Sequence, residues 1–138
     1  MTDPEKKPKI LLVDDDPVNL MLLTRILSFE GFECLTVGDP EEALVMLLAN
    51  PKSFNLVLTD LNMPQMTGKD LIRRMRENGC SIPVVIATSS PVPVSEEMIV
   101  ESTKTGQVYK VPAMQRPLDP TNLSSLIRKN LASGNKIA

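Results

Sequence analysis

The stretch ILLVDDDPVNLMLLTRILSF, residues 10–29, decides how the fold is read. Its first four residues are apolar without alternation, as a strand buried on both faces requires. Three acids follow. Asp16-Pro17 then reads as a helix start, with a carboxylate to cap free N–H groups and a proline whose missing N–H is not needed in the first turn. Beyond it Val18, Leu22, Ile26 and Phe29 recur at helical spacing and predict a helix with that stripe buried. Strand, acidic loop and helix make one unit of an α/β fold.

The unit repeats along the chain. Strands are predicted at Ile10–Val13, Glu33–Val37, Asn55–Thr59 and Val84–Thr88. Helical stripes fall at Ala43, Leu44, Leu47 and Leu48, at Leu71, Ile72 and Met75, and at Leu123, Leu126, Ile127 and Leu131. Asp39-Pro40-Glu41-Glu42 repeats the capping device, and Gly31 and Gly79 stand where an αL residue ends a helix. The alternation predicts an open, doubly wound α/β sheet. Residues 89–120 are harder to read, because five of the chain's 12 prolines lie there. A fourth helix is assigned to Ser95–Lys104 on the patch Met98-Ile99-Val100, and a fifth strand within Gln107–Met114. One domain over residues 9–132 is expected, with loose termini at 1–8 and 133–138.

Composition limits the chemistry. The 138 residues contain no histidine and no tryptophan, which excludes a Ser-His-Asp or Cys-His system in cis, an HExxH metal site and autophosphorylation on histidine. With 42% hydrophobic and 23% charged residues the chain reads as globular. Its net charge of −2 offers no basic footprint, so direct nucleic-acid binding is not expected. No apolar run approaches the roughly 18 residues that span a bilayer, so membrane insertion is not expected either, and the chain is read as cytoplasmic. Cys34 and Cys80 are far apart and read as reduced thiols. No P-loop frame surrounds Lys69, and no GxGxxG occurs, so nucleotide cofactors are unsupported.

In such a sheet ligands bind outside the carboxyl ends of the strands. There the first strand runs into Asp14-Asp15-Asp16, the third into Asp60-Leu61-Asn62-Met63-Pro64, and the fourth into Thr88-Ser89-Ser90. If the first and third strands are neighbours, their carboxylates converge and repel, and a hard divalent cation such as Mg²⁺ relieves the repulsion. A carboxylate beside that cation can attack phosphorus and form an aspartyl phosphate, with a nearby hydroxyl and cation on the phosphoryl oxygens.

The segments LLVDDDPVN, LVLTDLNMPQMTG, IPVVIATSS and RPLDPTNL resemble the successive motifs of the receiver domain of two-component response regulators, from about Lys9 to Leu131. The resemblance implies a flavodoxin-like (βα)₅ fold with a five-stranded parallel sheet ordered 2-1-3-4-5. It implies that Asp14 and Asp15 form the acidic pair, with Asp15 favoured as direct Mg²⁺ ligand. Asp60 would be the phosphoacceptor, the backbone carbonyl of Asn62 would complete the metal site, and Thr88 would be the switch hydroxyl. The family's lysine before a cis-proline has two candidates here. Arg116-Pro117 leads into the last helix as that motif does, whereas Lys110 stands nearer the family's usual spacing from Thr88 but precedes Val111-Pro112. The aromatic of the family's switch would fall on Ala113, with Tyr109 out of register.

The implied activity is acceptance of a phosphoryl group from a histidine kinase or histidine phosphotransfer protein, with signalling to a downstream protein target and no turnover beyond self-phosphorylation and self-dephosphorylation. No output domain fits after Leu131, so a stand-alone receiver and one excised from a longer protein are both open. Two alternatives compete: a pseudo-receiver interaction module whose segment 89–117 no longer couples to phosphorylation, and an aspartate-nucleophile phosphohydrolase. The latter wants a second aspartate where this chain has Asn62.

Overall fold

The computed structural model describes residues 6–133. The expected loose termini fall mainly on 1–5 and 134–138, outside the described residues. Five strands lie parallel: β1 (Lys9–Val13), β2 (Glu33–Val37), β3 (Leu56–Asp60), β4 (Val84–Thr88) and β6 (Val108–Gln115). A sixth, β5 (Glu97–Glu101), runs antiparallel on the outer side of β6. The sheet order is β2-β1-β3-β4-β6-β5, so the parallel strands take the expected 2-1-3-4-5 arrangement with β6 in fifth place. The described helices are α1 (Pro17–Phe29), α2 (Pro40–Ala49), α3 (Gly68–Glu77) and α4 (Pro120–Ser133).

Local chemistry starts these helices where the sequence says. The Asp16 and Asp39 carboxylates accept from the N–H groups of Val18 and Glu41, and Thr67 and Asp70 form a reciprocal capping box. Alternation along the parallel strands then serves both faces. Ile10, Leu12, Leu56 and Leu58 pack with Leu20, Leu23, Leu27, Leu123 and Ile127, from α1 and α4. Leu11, Val13, Val57 and Ile86 pack with Leu44, Leu47, Leu71, Ile72 and Met75, from α2 and α3.

Two sequence expectations are corrected. The segment Ser95–Lys104 is not a helix, and β5 occupies its centre, so no helix joins β4 to β6. The reason is period. Met98 and Val100 enter the core beside α3 while Ile99 and Glu101 are exposed, an alternation of two, and no apolar residue follows at helical spacing. Glu96, at φ 59°, turns the chain into β5, and its carbonyl accepts the Ala113 N–H at 2.9 Å. Pro112 is tolerated inside β6 because it faces Glu97 at a position where β5 and β6 exchange no hydrogen bonds, and the pairing of β6 with β4 begins at Ala113.

The second correction concerns α1. Its buried stripe is Leu20, Leu23 and Leu27, whereas Val18 (55%), Leu22 (49%) and Phe29 (94%) are exposed. The helix carries two overlapping apolar arcs, and tertiary contact with β1 and α4 selects one of them.

Candidate functional site

Register brings the polar strand ends together. Val13 lies beside Thr59, Asp60 beside Ala87, and Thr88 beside Gln115, so Asp14, Asp60, Thr88 and Arg116 all emerge at one edge of the sheet. Carboxylate oxygens of Asp14, Asp15 and Asp60 lie within 4.8 Å of one another. Asp14 is buried, Asp60 half-buried and Asp15 exposed, so the cluster opens to solvent through Asp15.

Each acid is held differently. Asp14 Oδ1 accepts the Asp16 N–H at 2.9 Å, and Asp14 Oδ2 accepts from Arg116 Nη2 at 3.1 Å. Burial pushes the Asp14 carboxyl above its ordinary range and the Asp60 charge adds to the rise, while the Asp16 N–H and the Arg116 guanidinium oppose it. Asp60 Oδ1 accepts the Leu61 N–H at 2.7 Å. The Asp60 carbonyl accepts the Thr59 hydroxyl at 2.9 Å and faces the backbone of Gly68. A Cβ on Gly68 would overlap that carbonyl oxygen and stand 3.1 Å from Leu61 Cα, so only glycine fits where α3 begins against the loop after Asp60.

Thr88 is fully buried, and its hydroxyl accepts the Ser90 N–H at 3.0 Å. The Thr88 carbonyl accepts the Arg116 N–H at 2.7 Å, which closes residues 89–115 at their base. The Arg116-Pro117 peptide bond is cis. The donor set of three carboxylates, one deeply buried, suits a hard divalent cation of the Mg²⁺ class.

Residues 10–128 match the family model of the response regulator receiver domain. The chain belongs to that family. A two-component response regulator of rice, ORR3, is 30% identical over 130 residues, covering 93% of this chain and 94% of its own. The sensor histidine kinase RcsC of Salmonella typhimurium is 39% identical over 93 residues, 67% of this chain but 10% of the kinase. The crystal structure of a receiver domain protein from Clostridium thermocellum superposes with a TM-score of 0.73 at 25% identity, over 91% of this chain and 94% of that one. This receiver is therefore a phosphoacceptor signalling domain with the doubly wound flavodoxin-like fold.

The receiver's two candidate cations separate clearly. Arg116 reaches Asp14, whereas Lys110 is exposed in the middle of β6, opposite Ile99 on β5 and away from the acids. Ala113 is buried on β6, and the Tyr109 hydroxyl donates to Gln107 at 3.3 Å within the hairpin. The Asn62 side chain donates to Ser90 Oγ at 2.8 Å, tying the loop after β3 to the loop after β4. This partnership of Ser90 was not legible in the sequence, since a serine in a loop carries no local mark of a partner 28 residues away. Nor was the anchor of the β5–β6 hairpin legible. There the buried Ser102 donates to Glu77 Oε2 at 2.6 Å and accepts the N–H groups of Lys104 and Thr105, and Glu77 also accepts the Lys104 N–H.

Burial and the neighbouring Glu33 charge push the Cys34 thiol up to about 11, so it stays protonated near neutrality. Among the described residues no helix is long and apolar enough to cross a membrane.

Proposed function

We propose that Asp60 is the phosphoacceptor of this receiver and that it takes its phosphoryl group from a phosphohistidine on a histidine kinase or histidine phosphotransfer protein. A carboxylate oxygen of Asp60 forms the new O–P bond as the N–P bond of the donor breaks, and the electron pair of that bond returns to the partner's imidazole. The absence of histidine from this chain agrees with a donor supplied in trans. The observation that carries the reading is the convergence of three carboxylates on one solvent-facing edge.

Asp14, Asp15, Asp60 and the backbone carbonyl of Asn62 are the groups that would hold Mg²⁺, which when bound neutralises charge on the phosphoryl oxygens. Arg116 fills the cation role in preference to Lys110: its ion pair with Asp14 keeps a guanidinium beside the acids, within reach of a phosphoryl group. Thr88 supplies the switch hydroxyl, which accepts the Ser90 N–H and still has its own hydrogen to donate to a phosphoryl oxygen. The exposed Val18, Met21 and Leu22 of α1 begin a few residues after the acids and offer an apolar landing for the donor's surface. Residues 9–132 act as one receiver unit, working in the cytoplasm and passing the signal to a downstream protein.

Intact mass after incubation with acetyl phosphate and Mg²⁺ tests the reading. Wild type gains about 80 Da and Asp60→Asn does not. An unchanged gain in the variant would remove Asp60 as acceptor.

A second reading, an interaction module whose segment 89–117 does not couple to phosphorylation, draws on the hairpin that replaces a helix between β4 and β6. Beryllofluoride with Mg²⁺ separates the two, since a coupled switch shifts the amide resonances of Thr88 and residues 91–116 and an uncoupled module leaves them in place.

A further inference from the structure

The hairpin creates an edge that the acidic site does not use. β5 pairs on one side with β6, and the hydrogen bonds from Ser102 N–H to the Gln107 carbonyl and from Ala113 N–H to the Glu96 carbonyl set the alternation. Residues 96, 98, 100 and 102 exchange hydrogen bonds with β6, so the N–H and C=O groups of Glu97, Ile99 and Glu101 point away from the sheet. Of these six groups, the Glu97 carbonyl accepts a long 3.5 Å bond from the Ser95 hydroxyl, and the other five meet no partner among the described residues.

Side chains add selectivity to that edge. Met98 and Val100 are buried toward α3, while Glu97, Ile99 and Glu101 line the opposite face, with Ile99 49% exposed. Among the described residues neither glutamate forms an ion pair. Opposed charges across a strand pair stabilise it, and like charges do the reverse. A second copy of this chain is a poor occupant. Antiparallel self-pairing centred on Ile99 would set each Glu97 against a Glu101 of the other copy.

We propose that the outer edge of β5 is a docking site for an extended segment of a partner protein, which adds as a further strand and carries lysine or arginine at positions i and i+4 with an apolar residue at i+2. The backbone groups of 97, 99 and 101 supply the ladder, the two glutamates choose basic side chains, and Ile99 packs on the central apolar one. The assignment does not depend on phosphorylation.

The probe is a blocked heptapeptide of threonine with lysine at its second and sixth positions and valine at its fourth, titrated into the ¹⁵N-labelled full chain. Its counterpart has glutamate for lysine. The lysine peptide is expected to bind roughly tenfold more tightly, to shift the amides of Glu97, Ile99 and Glu101, and to slow their hydrogen exchange. In the double variant Glu97→Lys/Glu101→Lys, whose folding is read from the rest of its amide spectrum, the preference reverses to the glutamate peptide. The proposal is overturned if those three amides are unaffected, or if the double variant keeps the lysine preference. Protection of the same amides that grows with protein concentration in the absence of peptide would overturn it in favour of self-pairing.

Discussion

Replacing Arg116 by methionine tests whether its guanidinium is the counter-ion on which the acidic cluster rests. The pair is short, 3.1 Å, and its members are 17% and 2% exposed, so solvent screens the aspartate little and the arginine moderately. At an effective dielectric of about 20, opposite unit charges at this distance attract by roughly 5 kcal/mol. Partial exposure of Arg116 and the cost of desolvating both groups reduce that figure, and breaking buried pairs by truncating one partner costs about 3–5 kcal/mol. We expect Arg116→Met to lose about 3 kcal/mol of stability without metal, or roughly 10 °C in Tm for a domain of this size. Methionine keeps much of the arginine stem, so packing loss contributes little.

The same substitution frees Asp14 for Mg²⁺ and removes a positive charge from beside the site. Mg²⁺ should therefore bind the variant about tenfold more tightly, and saturating Mg²⁺ should narrow its stability gap to wild type by up to about 1.4 kcal/mol, nearly half of the loss, by mass action. Circular dichroism follows unfolding, since the chain has no tryptophan, and calorimetric titration gives Mg²⁺ affinity. Arg116→Lys keeps the charge and should fall between the two. A variant as stable as wild type, with Mg²⁺ affinity unchanged within about twofold, would show that the ion pair plays no such part.

Three further outcomes follow from particular contacts. Gly68→Ala should destabilise the chain by about 1–3 kcal/mol and slow labelling by acetyl phosphate, because the new methyl meets the Asp60 carbonyl. Normal labelling would mean that the loop gives way. In α1, Leu23→Ala should cost about 3 kcal/mol and Leu22→Ala less than about 0.5 kcal/mol in urea unfolding, since Leu23 is buried and Leu22 is half exposed. The Ser102 hydroxyl, with the Lys104 N–H and Lys104 and Arg73 charges adding, holds the Glu77 carboxyl below its ordinary value. A depressed acid stabilises the fold above the unfolded-state value and loses that contribution as pH falls through the folded-state value. The gap in stability between wild type and Ser102→Ala should therefore be widest near neutrality and narrow on acidification, and a gap that is the same at every pH would contradict this.

The parts of the fold legible in the sequence are those whose signal is local. Two-sided apolar runs such as ILLV and VVIAT can be satisfied only between layers, and Asp16-Pro17 and Asp39-Pro40 start helices by hydrogen bonds within their own turn. Asp14, Asp15, Asp60 and Thr88 were legible as site candidates for the same reason, being the residues at which apolar strands end. Ser95–Lys104 misled because three adjacent apolar residues suit either period, and only pairing with β6 chose two over 3.6. The α1 stripe misled because Val18, Leu22 and Ile26 are spaced as well as Leu20, Leu23 and Leu27.

By itself the sequence determined the element types of the parallel core, the parallel character of its sheet and the acids at its carboxyl edge. Only the tertiary structure decided that Arg116 and not Lys110 reaches Asp14, which arc of α1 is buried, and that an antiparallel hairpin closes the sheet. The division has one physical cause. Strand and helix patterns are written in neighbours a few residues apart, whereas the Asp14–Arg116 ion pair spans 102 positions and the β5–β6 register depends on which face of each strand meets α3. Such contacts form only when the sheet has brought distant residues to the same edge.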